Sequence, residues 1–390
     1  MADTVDQQSL IKALQIDSLD TAAWVALGRT LDGPAVIAVG DSDFTEQQCF
    51  LRALNIDPAY APAWYNLGNT VGGAETVAVG DDSYTDQLCY AKSVKIDPSN
   101  AKAWYNLALT LYGSDPIPVG DVSFTKQQCY LKTVENDPTD ATAWNNLGIT
   151  LYEAETVALG DATFNNQQCF AKAIESDPKL MSAWINLSRS FANTTDTAIV
   201  NNDSYTQRQC QLRVLEIDVR NGFMWNTVGE SLKNDETITV NNSSVSKKGC
   251  FEMAAHMAPD TARHWNNVGN MTAIGEFATV NDTSMSKREC YFNALAADPN
   301  DPTVWNNLGT TMAADEIVAI GDRQFSKQQC FIHALEIDEC DATTWYNLGS
   351  TMTSSEDTVT VNGTSYTEQE CYEKAACGGV VKTEEGEEQG

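Results

Sequence analysis

Histidine and basic residues are scarce in this 390-residue chain, and it has no long apolar run. The three histidines stand in no nucleophile or metal-ligand pattern, and no phosphate-binding or dinucleotide-binding motif is present. Only 24 Lys and Arg face 54 Asp and Glu, which gives a formal net charge of −30. This charge argues against binding nucleic acid or an anionic membrane, because both need a basic patch. It is compatible with a basic protein partner, or with a role in solubility alone.

The amino terminus carries no basic segment followed by an apolar run, and no stretch reaches the roughly 18 apolar residues of a membrane helix. We therefore expect a cytoplasmic protein without a membrane segment. Catalysis needs residues that occur once and converge, whereas the residues of this chain recur evenly. We expect neither enzymatic activity nor a metal or cofactor.

The tryptophans and most of the cysteines recur in phase. The tryptophans, spaced by 40 residues with one spacing of 41, are Trp24, Trp64, Trp104, Trp144, Trp184, Trp225, Trp265, Trp305 and Trp345. The cysteines that follow them by 25 or 26 residues are Cys49, Cys89, Cys129, Cys169, Cys210, Cys250, Cys290, Cys330 and Cys371. The chain is therefore an array of one unit repeated nine times. At one equivalent position, the cysteines are expected to be buried apolar thiols rather than disulfides.

Each unit predicts two helices. Trp64, Leu67, Gly68 and Val71 stand at i, i+3, i+4 and i+7, on one face of a first helix, called helix A. A second helix, helix B, contains the cysteine and ends before Pro98. Capping boxes predict the start of helix B at Thr45, Thr125, Thr206, Ser286, Ser326 and Thr367. The aromatic residue before the cap is expected to pack on the cysteine as a hydrophobic staple.

Between the helices, alternating Thr and Val, a two-residue turn and an aromatic predict a short β-hairpin, with an ordered loop as the alternative. The turns Gly80-Asp81, Asn241-Asn242, Asn281-Asp282 and Asn362-Gly363 favour type I′. The expected cross-strand pairs are Ile37 with Phe44, Val77 with Tyr84, Ile117 with Phe124, Val157 with Phe164, Val318 with Phe325 and Val359 with Tyr366. The turn aspartates Asp41, Asp81, Asp121, Asp161, Asp282 and Asp322 are explained by turn preference rather than by a cation site.

The segment Trp64-Tyr65-Asn66-Leu67-Gly68, with Phe50, Ala53 and Pro58 of the preceding unit, resembles the tetratricopeptide repeat. The period here is 40 residues rather than 34, and the six extra residues lie between helices A and B. The resemblance implies an all-α solenoid, a right-handed superhelix of helix pairs whose concave face is lined by helix A, with a hairpin in each A–B turn. The predicted boundaries are a half repeat (helix B) at 1–19, repeats at 20–59, 60–99, 100–139, 140–179, 180–220, 221–260, 261–300, 301–340 and 341–378, and an acidic tail at 379–390.

Asparagine follows the tryptophan by two residues in most units, about 200° around helix A and so away from the buried stripe. The row is Asn66, Asn106, Asn146, Asn186, Asn267, Asn307 and Asn347, with Ala26 and Thr227 as exceptions. A carboxamide both donates and accepts, so such a row can pair with the backbone of an extended peptide. By resemblance, the row is the candidate peptide groove. The alternative is that each asparagine bonds to its own neighbours.

The sequence therefore predicts a scaffold that binds an extended segment of a partner protein, without nucleic acid or membrane as a partner. The positions five residues after the tryptophan vary, as sequence preference in such a groove would require. A self-assembling rod of repeats stacked end to end is one alternative. A recognition arm of a larger enzyme is the other.

Overall fold

The computed structural model describes residues 7–73, 75–113, 115–152, 154–354 and 356–378. The acidic tail predicted at 379–390 lies outside the described residues. Packing divides the chain into two compact units, Met1–Cys210 and Gln211–Gly390, called unit 1 and unit 2. The division falls inside one helix B. Each unit repeats the same succession of helix A, hairpin and helix B.

The helices are short, and those with even numbers are helices A, each containing one tryptophan. Their bounds are Gln7–Ile16 (α1), Thr21–Gly28 (α2), Glu46–Ile56 (α3), Ala61–Thr70 (α4), Asp86–Ile96 (α5), Ala101–Thr110 (α6), Lys126–Asn136 (α7), Ala141–Ile149 (α8), Asn166–Ser176 (α9), Met181–Arg189 (α10), Gln207–Ile217 (α11), Gly222–Ser231 (α12), Lys247–Met257 (α13), Ala262–Met271 (α14), Lys287–Ala297 (α15), Pro302–Thr310 (α16), Lys327–Ile337 (α17), Ala342–Gly349 (α18) and Glu368–Ala376 (α19).

The strands form two-stranded antiparallel hairpins, one between each helix A and the helix B that follows it. Their bounds are Val36–Val39 (β1), Ser42–Thr45 (β2), Val77–Val79 (β3), Asp82–Tyr84 (β4), Ile117–Val119 (β5), Val122–Phe124 (β6), Val157–Leu159 (β7), Ala162–Phe164 (β8), Thr197–Val200 (β9), Asp203–Thr206 (β10), Thr237–Val240 (β11), Ser243–Ser246 (β12), Phe277–Val280 (β13), Thr283–Ser286 (β14), Ile317–Ile320 (β15), Arg323–Ser326 (β16), Thr358–Val361 (β17) and Thr364–Thr367 (β18).

Helix pairs and hairpins together confirm the predicted fold class. In unit 1, α2, α4, α6 and α8 each pack on the helix B before and after them, and α10 packs on α9. In unit 2, α14, α16 and α18 each pack on both neighbouring helices B, and α12 packs on α13. Eight of the hairpins contact the helix B that follows them, and the strand β9 contacts α9. All six predicted capping boxes are present: each cap side chain accepts from the N3 amide while the N3 side chain reaches back to the amide of the cap. Asn165 forms a further box that the Ser/Thr pattern missed. The repeat boundaries stay a prediction.

The predicted hairpin register is confirmed at all six expected pairs. The predicted type I′ turn is confirmed at Asn241-Asn242, Asn281-Asp282 and Asn362-Gly363 and is wrong at Gly80-Asp81. Asn281-Asp282 has positive φ at both residues, 51° and 58°, as type I′ requires. Gly80, by contrast, has a φ of 64° whereas Asp81 stays at negative φ, the pattern of type II′. The prediction of type I′ for Gly80-Asp81 was therefore wrong, because glycine at the first turn position opens the type II′ alternative that asparagine disfavours.

Tryptophan stabilises each repeat through two kinds of contact. The indole Nε1 of all nine donates to the carbonyl six residues earlier, in the turn that precedes helix A, at 2.7–3.0 Å. In seven repeats the hairpin aromatic packs on the indole, with ring centroids 4.6–5.1 Å apart, as Phe44 does on Trp24. The residue expected to form the staple thus packs on the tryptophan ring.

The nine periodic cysteines are buried and free, as predicted. They lie where helix A crosses helix B: an added Cβ at Gly28 would stand 3.1 Å from the Cβ of Cys49. Burial raises the pKa of the Cys49 thiol to about 12 and that of Cys290 to about 11. A thiol in such surroundings stays protonated near neutral pH and acts as a small apolar side chain.

Candidate functional site

The predicted asparagine row lies on helices A, and each of its members is half-buried rather than fully exposed. On a helical wheel these asparagines face away from the buried stripe of their own helix A. The adjacent helix A in the same unit covers part of each side chain. In unit 1 the row comprises Asn66, Asn106, Asn146 and Asn186. In unit 2 it comprises Asn267, Asn307 and Asn347.

Most of these amides donate to a side chain of the preceding helix A. In unit 1, Nδ2 of Asn106 donates to Oδ1 of Asn69 at 2.9 Å, and Nδ2 of Asn186 donates to Oδ1 of Asn145 at 2.9 Å. Asn146 donates to the Tyr105 hydroxyl at 3.2 Å. Asn66 differs, because it donates to the Pro62 carbonyl of its own helix at 2.7 Å.

In unit 2 each row asparagine likewise donates to the preceding helix A, and the acceptor is always another asparagine. The acceptors for Asn267, Asn307 and Asn347 are Oδ1 atoms, each at 2.9 Å, of Asn226, Asn266 and Asn306 respectively. The residue directly after the tryptophan is thus a second amide row, which sequence reasoning missed. The sequence pattern could have revealed this row, since asparagine stands at that position in four of the nine repeats: Asn145, Asn226, Asn266 and Asn306.

The neighbour bonds use the donor side of the predicted ladder. Among the described residues, Asn146 is the one member of the row whose Oδ1 accepts a hydrogen bond, from Nδ2 of Asn145 at 3.3 Å. The other six carbonyl oxygens have no donor within the described chain. Each is held in one orientation by the bond that its own Nδ2 makes. Such a row is suited to accept hydrogen bonds from a ligand, and an Nδ2 that makes one neighbour bond keeps a second hydrogen to donate.

Two buried tyrosines, each on a helix B, donate hydrogen bonds to asparagines that accept from the row. The Tyr90 hydroxyl donates to Oδ1 of Asn69 at 2.9 Å, which also accepts from Asn106. The Tyr291 hydroxyl donates to Oδ1 of Asn270 at 2.8 Å in the same way. Burial raises the pKa of both hydroxyls to about 12, so each remains a protonated donor at neutral pH.

The Thr and Ser residues six positions after the tryptophan have a structural role. Thr70 donates to the Leu67 carbonyl at 2.8 Å, and the same bond occurs at the end of helix A in seven other repeats. The side chain of Gln47, on the preceding helix B, donates to the Thr70 hydroxyl at 3.3 Å. This bond joins successive repeats, and such positions are unavailable to a ligand.

Charge is distributed unevenly on the helices A. Those of unit 1 contain no Asp or Glu, although the chain as a whole carries −30. Lys102 lies on α6, Arg189 ends α10, and Arg29 follows α2 as its cap. Unit 2 has one carboxylate on its helices A, that of Glu230, which accepts from Arg263 at 2.9 and 3.0 Å.

Among the described residues, no group of three His, Cys, Asp or Glu could hold a metal ion, and none of the described helices is both long and apolar enough to cross a membrane. A cleft of about 690 Å³ lies instead beside the third hairpin, where Trp104, Val122, Phe124 and Lys132 are among the lining residues. The sequence did not predict this cleft, which depends on how the hairpin stands against two helices B.

Residues 129–165 match the sequence model of the tetratricopeptide repeat family. The solved structures similar to the chain include the crystal structure of yeast Tom70, at 12% sequence identity and a TM-score of 0.34, over 89% of this chain and 69% of that one. No curated protein matches the chain significantly.

Proposed function

Because the chain is a tetratricopeptide repeat protein, we propose that it is a non-enzymatic scaffold that binds an extended peptide segment of a partner protein along its helices A. The observation that carries the proposal is the row of carboxamides whose carbonyl oxygens are oriented by neighbour bonds and accept nothing from the described chain. A peptide amide that meets such an oxygen gains a hydrogen bond with little loss of side-chain freedom, since the rotamer is already fixed.

The proposal assigns backbone recognition mainly to the carbonyl oxygens, which accept from peptide N–H groups. The neighbour bonds engage the Nδ2 atoms of Asn106 and Asn186 once and that of Asn307 twice, so the amides of Asn106 and Asn186 each keep a second hydrogen. Backbone recognition of this kind tolerates many side chains. Selectivity then comes from the variable residues beside the row.

The test compares two triple variants of the full chain. Asn106→Ala, Asn186→Ala and Asn307→Ala together remove three acceptor oxygens and four neighbour bonds. The matched control, Asn69→Ala, Asn145→Ala and Asn266→Ala, removes the 2.9 Å partners of the same amides but keeps the three row oxygens. Partners are captured from cell lysate, identified by mass spectrometry and titrated as peptides.

At about 0.5–1.5 kcal/mol for each hydrogen bond, the first variant is expected to weaken peptide binding about 10- to 1000-fold. The control variant is expected to bind within a few-fold of the parent. Equal loss in both variants would assign the row to packing between repeats and refute the proposal. Self-association is a separate question, and sedimentation over a concentration series decides it, since a rod grows with concentration and a monomer does not.

A further inference from the structure

Equivalent clefts lie beside the second and third hairpins of unit 1. The cleft beside the second hairpin, called the repeat-2 cleft, has a volume of about 440 Å³ and is bounded by the end of α3, the turn before α4, the strands β3 and β4, and α5. The cleft of about 690 Å³ beside the third hairpin, called the repeat-3 cleft, is bounded by the same elements one repeat further along. Lys95, near the end of α5, lines both clefts. The two clefts therefore meet at one side chain and together span two repeats.

Both clefts have apolar residues in their walls. In the repeat-2 cleft these include Trp64 and Tyr84, whose ring centroids are 4.8 Å apart, and Ile96, which is 39% exposed. In the repeat-3 cleft they include Phe124 and Val122, and Val122 is 58% exposed. A large apolar side chain of a ligand finds apolar surface in either cleft.

The two clefts differ in charge. In the repeat-3 cleft, Lys132 forms an ion pair at 2.5 Å with Glu135, three residues later. The equivalent residues of the repeat-2 cleft are Lys92 and Lys95, so a second lysine occupies the position of the glutamate. Among the described residues that line the repeat-2 cleft, none is Asp or Glu.

The pair of lysines departs from a pattern that recurs in three other repeats. There a basic residue and a glutamate form the ion pair at 2.5–2.7 Å: Lys132 with Glu135, Lys172 with Glu175 and Arg213 with Glu216. Like charges at neighbouring positions on one face of a helix destabilise it, so Lys95 costs stability that a glutamate would supply. Such departures from favourable local pairing are expected at functional sites.

Both lysines are available to an anion. Nζ of Lys92 lies 5.5 Å from the ring centroid of Tyr84 and 6.0 Å from that of Trp64, and these contacts orient the ammonium group without neutralising its charge. Lys95 is exposed, and its Cε lies 3.6 Å from a Cβ added at Gly120, in the turn of the third hairpin. Within the described part of the chain, neither lysine is in ion-pair contact with a carboxylate. The repeat-2 cleft is therefore locally positive in a protein whose formal net charge is −30.

We propose that the two clefts form one groove that binds an acidic segment of a partner protein. A carboxylate of the segment contacts Lys92 and Lys95, and a large apolar side chain on each side of it occupies the repeat-2 cleft and the repeat-3 cleft respectively. Charge complementarity selects the acid, and the length of two repeats favours a polypeptide over a small organic acid. The groove contains no residue of the asparagine row, so this inference is independent of the proposed function.

The experiment measures fluorescence anisotropy of two labelled peptides with blocked ends, Ser-Phe-Asp-Phe-Ser and Ser-Phe-Gly-Asp-Gly-Phe-Ser, which place the apolar residues at two distances from the acid. The control peptides carry Asn in place of Asp, or Ala in place of both Phe. At least one designed peptide is expected to bind the full chain about tenfold more tightly than its Asn counterpart, because hydrogen bonds to a charged group are lost in the latter. It is also expected to bind more tightly than its Ala counterpart, which buries less apolar surface. Equal binding of the Asp and Asn peptides would overturn the proposal.

Variants of the lysines test the contacts. Lys95→Glu copies the residue of the next three repeats and is expected to weaken binding about tenfold or more, because attraction becomes repulsion. Its midpoint of urea unfolding is expected to be unchanged or higher, since the new residue pairs with Lys92, so the loss of binding is not a loss of fold. Lys95→Met keeps the length of the side chain and is expected to weaken binding about two- to fivefold. The matched control is Lys172→Met, which removes the partner of Glu175 in the fourth repeat and is expected to leave binding unchanged. Binding by Lys95→Glu at the level of the parent chain would refute the assignment.

Three further results concern the occupant and the independence of the site. If free phenylacetate binds as tightly as the designed peptides, a small organic acid suffices and the assignment to a partner segment fails. If the peptides bind only after residues 379–390 are deleted, the chain's own acidic tail occupies the groove, which overturns the same assignment. The variant lacking Asn106, Asn186 and Asn307 is expected to bind these peptides as the parent does, so failure of the asparagine row and failure of the groove are distinguishable.

Discussion

Replacing Gly148 by alanine is expected to destabilise the protein, although alanine is the better helix former. An added Cβ at Gly148 would stand 2.6 and 2.9 Å from two ring atoms of Phe170 and 3.1 Å from the Cβ of Cys169. Phe170 is 4% exposed and has little room to yield. Overpacking of a core costs about 1–3 kcal/mol, whereas glycine to alanine gains at most about 1 kcal/mol in helix propensity. With the full gain in propensity subtracted, the expected net loss is up to about 2 kcal/mol.

The assay is urea-induced unfolding followed by tryptophan fluorescence, together with hydrogen exchange of the α8 and α9 amides, because repeat arrays need not unfold in one step. Phe170→Leu removes the ring atoms that the new Cβ would meet. In that background Gly148→Ala is expected to be neutral or stabilising, so the double-mutant cycle isolates the steric term. Stabilisation by Gly148→Ala in the parent chain would refute the close-approach argument.

Three further predictions concern groups at other sites. Buried His264, whose pKa is lowered mainly by burial, favours the neutral form. Unit 2 is therefore expected to lose stability as pH falls below about 6.5, where the unfolded chain takes up a proton that the folded chain resists. A free energy of unfolding, from urea titration, that stays constant over this pH range, or that changes equally in His264→Ala, would contradict this. Native protein is expected to react with a thiol reagent at exposed Cys340 and Cys377 and at the nine buried thiols only after denaturation, as counted by mass spectrometry. Gly80→Ala is expected to cost about 1–2 kcal/mol because φ is 64° there, whereas Gly80→Asn, measured by the same urea titration, is expected to cost less.

Local patterns predicted most of one repeat. The register of Val77 with Tyr84 followed from counting outward from a two-residue turn, and the start of helix B followed from Thr45 and Gln48, which are three residues apart. Both features depend on residues close in the chain. The turn at Gly80 was harder, because both primed turn types have positive φ at the first residue and share the same strand register.

The sequence pattern did not predict the contacts between repeats. The bond from Asn106 to Asn69 joins residues 37 apart, and the bond from Asn186 to Asn145 joins residues 41 apart. Which of the two acceptor positions is used depends on the identity of the residue there and on the distance between adjacent helices A. A helical wheel describes one helix in isolation, and it therefore presented the row as exposed when neighbouring helices half-bury it. Whether the row binds peptides stays a prediction.

The tryptophan hydrogen bond also determines where this chain tolerates a change of length. Each indole reaches back to the carbonyl six residues before it, in all nine repeats, so an inserted or deleted residue in that turn would separate the donor from its acceptor. The one additional residue of the 41-residue repeat falls elsewhere, between Trp184 and Tyr205, where the route from helix A to the hairpin is free to lengthen. Foreign sequence such as an epitope or a fluorophore tag therefore belongs in that route, where it leaves the stacking of the array intact.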